Sequence, residues 1–340
     1  MGFIANYILN LGALALGREP RRPLLFSWYA THRCDLACRY CCDGDGKRFK
    51  EDPVSELDTA GARRLLGILR EASDTLDITG GEPLARQDLE EILACAKGLG
   101  FRTVLNTKGI GLERRPGILE ATDILVLSLD TLEPGALARL IGRPVEAAEA
   151  ILAALRWALG ESRRTGTRIV LAAVAAPENL EGVRGVLRFA RENGLGFQLS
   201  PEIVGVRVNP LLRESAAYRA LVDEVLEAKR RSRGILGVRR YLEGIRDFTP
   251  FRCHPLLMPT IRPDGRLYYP CLEKKCAEID ILEAGSYSRA LAAARARSGQ
   301  IPRCPDCCHI FCHLAVSSLQ CRPLAALREM AQLPPERSRA

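Results

Sequence analysis

The sequence predicts an α/β fold, a parallel sheet with helices outside it, with a small cysteine-rich extension at the C-terminal end. Three observations predict it. Six short apolar runs of strand type recur between residues 23 and 201, amphipathic helical patterns alternate with them, and eight of the thirteen cysteines lie from Cys253 onward. At 340 residues, 47% apolar and 26% charged, the chain is long enough to bury a large core as one domain or one domain with an appendage. Cysteines clustered in a chain of this size fit metal sites in a reducing cytoplasm rather than a disulfide scaffold.

Residues 1–22 open with "GFIANYILNLGALALG", in which Phe3, Ile4, Tyr7, Ile8, Leu11 and Leu14 fall at helical spacing and give one apolar face. Arg18, Arg21 and Arg22 follow it. The stretch is too short to span a bilayer and lacks the preceding positive charge of a signal peptide. Two placements remain open. The face packs on the protein's own core, or it lies on the inner membrane surface with the arginines at the headgroups, which would suit a lipid substrate.

The runs "LLFSWYA", "TLDITG", "RTVLNT", "ILVLSL", "RIVLAAV" and "GFQLSP" end near residues 30, 80, 107, 129, 174 and 201, and each has the length and composition of a buried strand. Between them, Ala62, Leu65, Leu66 and Leu69, then Leu89, Ile92, Leu93 and Ala96, then Ile151, Leu152, Leu155 and Leu159, and then Leu180, Val183, Leu187 and Ala190 mark helices. Asn179 is placed to cap the last helix and Gly194 to end it. Strand and helix in alternation predict parallel pairing, as an open doubly wound sheet or a barrel, with chemistry at the carboxyl ends of the strands.

That rule gives the motifs a common address. "CDLACRYC" (Cys34 to Cys41) follows the first strand, "GGEP" (Gly80, Gly81, Glu82, Pro83) the second, "NTKG" (Asn106 to Gly109) the third, and "SLD" (Ser128 to Asp130) the fourth. A closed structural metal site uses four ligands, whereas three thiolates on one loop leave a position open. The net charge of +8 is modest, and the densest basic run, "KRRSRG" (Lys229 to Gly234), reads as a solvated helix end rather than a nucleic-acid site.

The C-x3-C-x2-C loop with Tyr40 before its last cysteine, followed by "GGEP", resembles the radical S-adenosylmethionine (SAM) superfamily over roughly residues 23 to 210. The resemblance implies a partial (β/α)6 parallel barrel over residues 23–235. It also implies that Cys34, Cys38 and Cys41 hold three irons of a 4Fe-4S cluster while SAM chelates the fourth. An external donor such as flavodoxin or ferredoxin would supply the electron that cleaves SAM to methionine and a 5'-deoxyadenosyl radical. Tyr40 would lie near the adenine, Glu82 would accept from the SAM amino group, and Ser128 and Asp130 would bond the ribose. Gly80 and Gly81 would let backbone approach the ligand, with Pro83 stiffening the turn. This chain reads Thr107-Lys108-Gly109 where relatives often carry Thr-Asn-Gly. Lys108 would pair with the SAM carboxylate or point to solvent, and Arg143 or Arg139 is an alternative partner for that carboxylate. Cys42 and Cys95 read as unliganded thiols.

Residues 236–330 form the extension, and 331–340 a tail. Cys253 and Cys271 flank "PTIRPDGRLYYP", two apolar runs about an Asp-Gly turn that predict a hairpin. Cys276, Cys304, Cys307, Cys308, Cys312 and Cys321 follow. The arrangement resembles the SPASM or twitch extensions, although Gly265 and Cys271 stand one residue further apart than the usual pattern. It implies one auxiliary 4Fe-4S cluster, with ligands drawn from Cys253, Cys271, Cys276, Cys304, Cys307, Cys312 and Cys321. Zinc competes, because His309 and His313 are close by.

Such extensions point to a peptide or protein substrate. A lipid or isoprenoid substrate is the alternative motivated by the N-terminal helix. A non-catalytic iron-sulfur or zinc protein is the alternative of another class, opposed by "GGEP" and "SLD", since a carrier needs no SAM pocket.

Overall fold

The computed structural model describes residues 2–42, 45–52, 54–300, 308–321 and 323–331. Cys304 and Cys307 lie outside these residues, and Cys321 is described only by its place in a helix.

The six expected strands form where the apolar runs stand: β1 (Phe26–Thr31), β2 (Thr75–Gly80), β3 (Arg102–Thr107), β4 (Ile124–Ser128), β5 (Arg168–Ala175) and β6 (Gly196–Pro201). They pair in sequence order, all parallel. The strands therefore share one carboxyl rim. Helices α1 (Phe3–Ala15), α2 (Thr59–Arg70), α3 (Leu89–Gly98), α4 (Gly117–Glu120), α5 (Pro134–Ile141), α6 (Val145–Thr165) and α7 (Leu180–Glu192) precede or link them. Leu65, Leu66 and Leu69 of α2, Ile92 and Leu93 of α3, and Val183 and Leu187 of α7 bury against the strands in one core, the faces their spacing predicts. The sheet does not close between β1 and β6, so the fold is a partial barrel.

After a small hairpin, β7 (Ile203–Val204) and β8 (Arg207–Val208), come α8 (Pro210–Arg213), α9 (Ala216–Arg231) and α10 (Arg239–Asp247). The basic run at the end of α9 is a helix end: Arg230 and Arg231 pair with Glu227 one turn back, and Lys229 donates to the Ile235 carbonyl.

The extension continues the core sheet. Strands β9 (Thr260–Ile261), β10 (Arg266–Tyr269) and β11 (Ala277–Asp280) form the predicted hairpin and its neighbour, and β9 pairs in parallel with β1 through Ser27 and Trp28. Gly265, at φ +82, makes the turn. Helices α11 (Ile281–Ala284), α12 (Tyr287–Ser298), α13 (Phe311–Cys321) and α14 (Pro323–Ala331) complete the described chain.

Two local expectations are corrected. Asn179 stands at the start of α7 without capping it; its amide instead accepts from Ala176 N and donates to Val174 O, pinning the loop after β5. The apolar face expected on α1 is split. Tyr7 is buried with its hydroxyl donating to Leu319 O at 2.7 Å, and Phe3 and Leu11 pack beside it, but Ile4 and Ile8 are 54% and 60% exposed. The buried side is completed by Asn6 and Asn10, whose amides bond the backbone of residues 21–23 and 72. Polar side chains that can satisfy a neighbouring strand of backbone took the place that periodicity assigned to isoleucine.

Candidate active site at the carboxyl rim

The loop after β1 is strapped from two sides. Ala37 N donates to Ile141 O at 2.9 Å and Arg39 N to Leu140 O at 3.4 Å, so the last carbonyls of α5 serve the loop. Lys50 Nζ donates to Leu36 O at 2.7 Å. Cys38 is buried, Cys34 and Cys41 are half-buried, and none is in a disulfide.

"GGEP" holds the base of that loop. Gly81 N donates to Thr31 O and Glu82 N to Arg33 O, both at 2.8 Å. A Cβ on Gly80 would stand 2.2 Å from Thr31 O, and one on Gly81 would stand 2.3 Å from Arg33 O. The glycines thus admit the chain leading to Cys34, a close approach of backbone to backbone. Pro83 starts the short turn Pro83–Ala85.

Glu82 is buried and accepts three hydrogen bonds, from Thr107 Oγ1 (2.5 Å), Lys108 N (2.9 Å) and Leu84 N (3.0 Å). Burial raises its carboxyl above the usual range against the pull of these donors. Asp130, also buried, accepts from Val174 N at 2.9 Å, from the Tyr40 hydroxyl, and from Lys108 Nζ at 3.3 Å. Lys108 is therefore not solvated as one reading had it. Burial would lower its ammonium, but Asp130 and Cys38 outweigh that and hold it above its ordinary range. Burial pushes Cys34 and Cys38 up, with Lys108 opposing at Cys38; burial and the neighbouring Cys38, Cys34 and Cys42 push Cys41 up to about 12. Ser128 ends β4 on the same rim. Arg139 and Arg143 are exposed.

Two residues of this region, and one of the extension, escaped the motif reading. Arg86 is 2% exposed and donates to Ala30 O, Leu57 O and Asp88, locking the "GGEP" turn to β1. Inside the sheet, Asp77 accepts from Ser27 Oγ at 3.1 Å and from Asn106, and burial raises its carboxyl to about 7. A lone aspartate in the apolar run "TLDITG" was the available signal. In the extension, Glu273 meets Cys271 and His313. The other described tail cysteines are dispersed in burial: Cys276 is exposed, Cys253 half-buried, Cys308 buried and Cys312 half-buried.

A parallel partial barrel whose rim brings three thiols, a buried glutamate and a buried lysine–aspartate pair together defines an α/β domain built around a thiolate-held cofactor. Residues 28–190, just under half of the chain, match the Radical SAM superfamily. A PqqA peptide cyclase of Xanthomonas axonopodis pv. citri is 32% identical over 177 residues, 50% of this chain and 45% of the relative. The chain thus spans about half the length of the peptide cyclases it matches. A probable GTP 3',8-cyclase of Methanosarcina acetivorans is 27% identical over 279 residues, 75% of this chain and 79% of the relative. Among solved structures, Streptococcus suis SuiB bound to S-adenosylmethionine superposes with a TM-score of 0.60 at 19% identity, covering 81% of this chain and 67% of SuiB. The anSMEcpe enzyme with AdoMet and the Cp18Cys peptide gives 0.57 at 14% identity, covering 91% and 94%. These two show the shared fold.

The residues present fit the superfamily's 4Fe-4S cluster and SAM. Cys38 and Cys34 both push the Cys41 thiol up, so the three thiols stand within electrostatic reach on one loop, and thiolates are the ligand type of a 4Fe-4S cluster. A carboxylate has about four acceptor positions. Glu82 and Asp130 each have three filled, so each retains capacity for a ligand donor.

Proposed function

We propose that this chain uses the rim site to cleave SAM reductively and modifies a peptide or protein substrate by hydrogen abstraction. The observation that carries the reading is the three-thiol loop held beside Glu82 and Asp130 at the carboxyl ends of β1, β2 and β4. When bound there, the SAM-chelated cluster supplies one-electron cleavage of a sulfur–carbon bond, with the electron coming from an external donor such as flavodoxin or ferredoxin. The chain's own side chains hold the reactants. Cys34, Cys38 and Cys41 ligate, Glu82 receives the SAM amino group, and Asp130 with Ser128 faces the ribose. Tyr40 and Lys108 fix the Asp130 carboxylate, and the Lys108 ammonium offsets negative charge beside Cys38.

The peptide assignment is supported by the match of half the chain to PqqA peptide cyclases and by the fold shared with SuiB and anSMEcpe, each solved with a peptide. An auxiliary 4Fe-4S cluster in the extension belongs to this reading, with Cys253, Cys276, Cys304, Cys307, Cys312 and Cys321 as candidate ligands; Cys271 has the distinct neighbours taken up below. The exposed Ile4 and Ile8 favour a second reading, a lipid or isoprenoid substrate met at the membrane surface. Comparing peptide and lipid extracts from strains with and without the protein separates them. A peptide mass that changes only when the protein is present supports the first reading, and a change confined to lipids replaces it with the second.

A further inference from the structure

We propose that Cys271, Glu273 and His313 bind one divalent transition-metal ion of the zinc type, at a site distinct from the three-cysteine loop. The donor atoms of the three residues all lie within 4.8 Å of one another. They come from distant parts of the chain, the loop between β10 and β11 and the first turn of α13. The side chains of His313 and Glu273 are only 5% and 10% exposed.

A buried ion pair is the plain alternative, since His313 Nε2 stands 2.9 Å from Glu273 Oε2. It leaves the site incomplete. The other ring nitrogen, Nδ1, is buried without a geometrically sound hydrogen-bond partner, and the Cys271 thiol lies against both members of the pair, so three potential ligands share one pocket. One ion with bonds of about 2.0–2.3 Å to thiolate, imidazole and carboxylate would use all three groups, and this borderline-soft mixture is a zinc ligand set. Either ring nitrogen is a competent ligand.

Because β9 runs parallel to β1 and β10 antiparallel to β9, the chain leaves β10 for Cys271 at the amino end of β1; the loop then turns back toward the stretch after the cysteine loop, where Lys275 Nζ stands 3.5 Å from Asp45 Oδ2. The ion would tie α13 to the hairpin that borders β1, leaving its fourth position to water.

The test uses the full chain carrying Cys34→Ala, Cys38→Ala and Cys41→Ala, made metal-free under anaerobic conditions, so that its failure is independent of the SAM reading. Zn2+ should bind at one per chain and raise the midpoint of thermal unfolding. Co2+ should give tetrahedral visible bands with a sulfur-to-cobalt charge-transfer band. Adding Cys271→Ser or His313→Ala should weaken Zn2+ by roughly 100-fold or more, and Glu273→Gln by about 10- to 100-fold. Circular dichroism of the metal-free variants checks that they fold, and the midpoint shift in the unmutated site needs no variant there. No midpoint shift and no sulfur-to-cobalt band would overturn the proposal. So would Zn2+ binding that survives both Cys271→Ser and His313→Ala, or uptake of about four irons with sulfide that Cys271→Ser abolishes and His313→Ala leaves intact.

Discussion

The Lys108 ammonium lies 3.3 Å from the Asp130 carboxylate with both side chains buried, and the Tyr40 hydroxyl donates to the same carboxylate oxygen. One contact thereby ties the end of β3, the end of β4 and the cysteine loop into a unit. Removing one partner of a buried pair costs roughly 3–5 kcal/mol because the other charge is left uncompensated. Tyr40 and Val174 N still serve Asp130, so Lys108→Met should fall at or just below the lower end of that range, about 2–3 kcal/mol. Urea unfolding checks the value, and Lys108→Met in an Asp130→Asn background should cost less than it does alone.

Gly81 is expected to be intolerant for reasons of backbone contact. Its Cβ would meet Arg33 O at 2.3 Å and His32 O at 2.7 Å, and carbonyls cannot rotate away as a side chain can. Gly81→Ala should lower stability by at least about 2–3 kcal/mol and displace the cysteine loop. Reconstituted iron content should fall with it; stability and iron both at the wild-type level would refute this role for the glycine.

Asp77 gives stability a pH dependence of predictable sign. Burial raises its carboxyl from 3.8 to about 7. The folded chain then holds the proton more tightly than the unfolded chain, so the contribution is complete below about pH 4 and is lost as pH rises to about 7. The loss is on the order of 2–4 kcal/mol. Asp77→Asn, with Asn106 turning its amide round, should unfold at a higher temperature than wild type at pH 8 and show a flatter profile between pH 4 and 7. A wild-type profile in the variant would assign the slope to other groups.

The two faces of α1 should respond oppositely. Ile8 is 60% exposed, so Ile8→Glu should change stability by less than about 0.5 kcal/mol. Tyr7 is fully buried, and Tyr7→Ala should cost about 3–5 kcal/mol. If the exposed isoleucines meet a membrane, wild type should sediment with anionic liposomes and Ile8→Glu should stay in the supernatant. Both proteins remaining in the supernatant would remove the support for the lipid reading.

The strands were legible because a parallel strand buried on both faces is a continuous apolar run, and "ILVLSL" can scarcely be anything else in an alternating chain. The rim motifs were legible because parallel strands bring their carboxyl ends to one side. Side-chain partnerships were less so. Nothing local to Lys108 tells that Asp130 will stand opposite it, and Asn6 and Asn10 enter a buried interface because backbone from residues 21–23 and 72 happens to offer them partners. Glu273 carries no motif at all; its role depends on a contact with His313 in another element.

The central claim is that Cys34, Cys38 and Cys41 together make the rim competent for SAM cleavage. The direct measurement is 5'-deoxyadenosine formed from SAM by the anaerobically reconstituted chain under a strong reductant, with Cys38→Ala compared side by side after circular dichroism shows that it folds. The account predicts 5'-deoxyadenosine from wild type and none above background from Cys38→Ala. Equal production by a folded Cys38→Ala protein would contradict it.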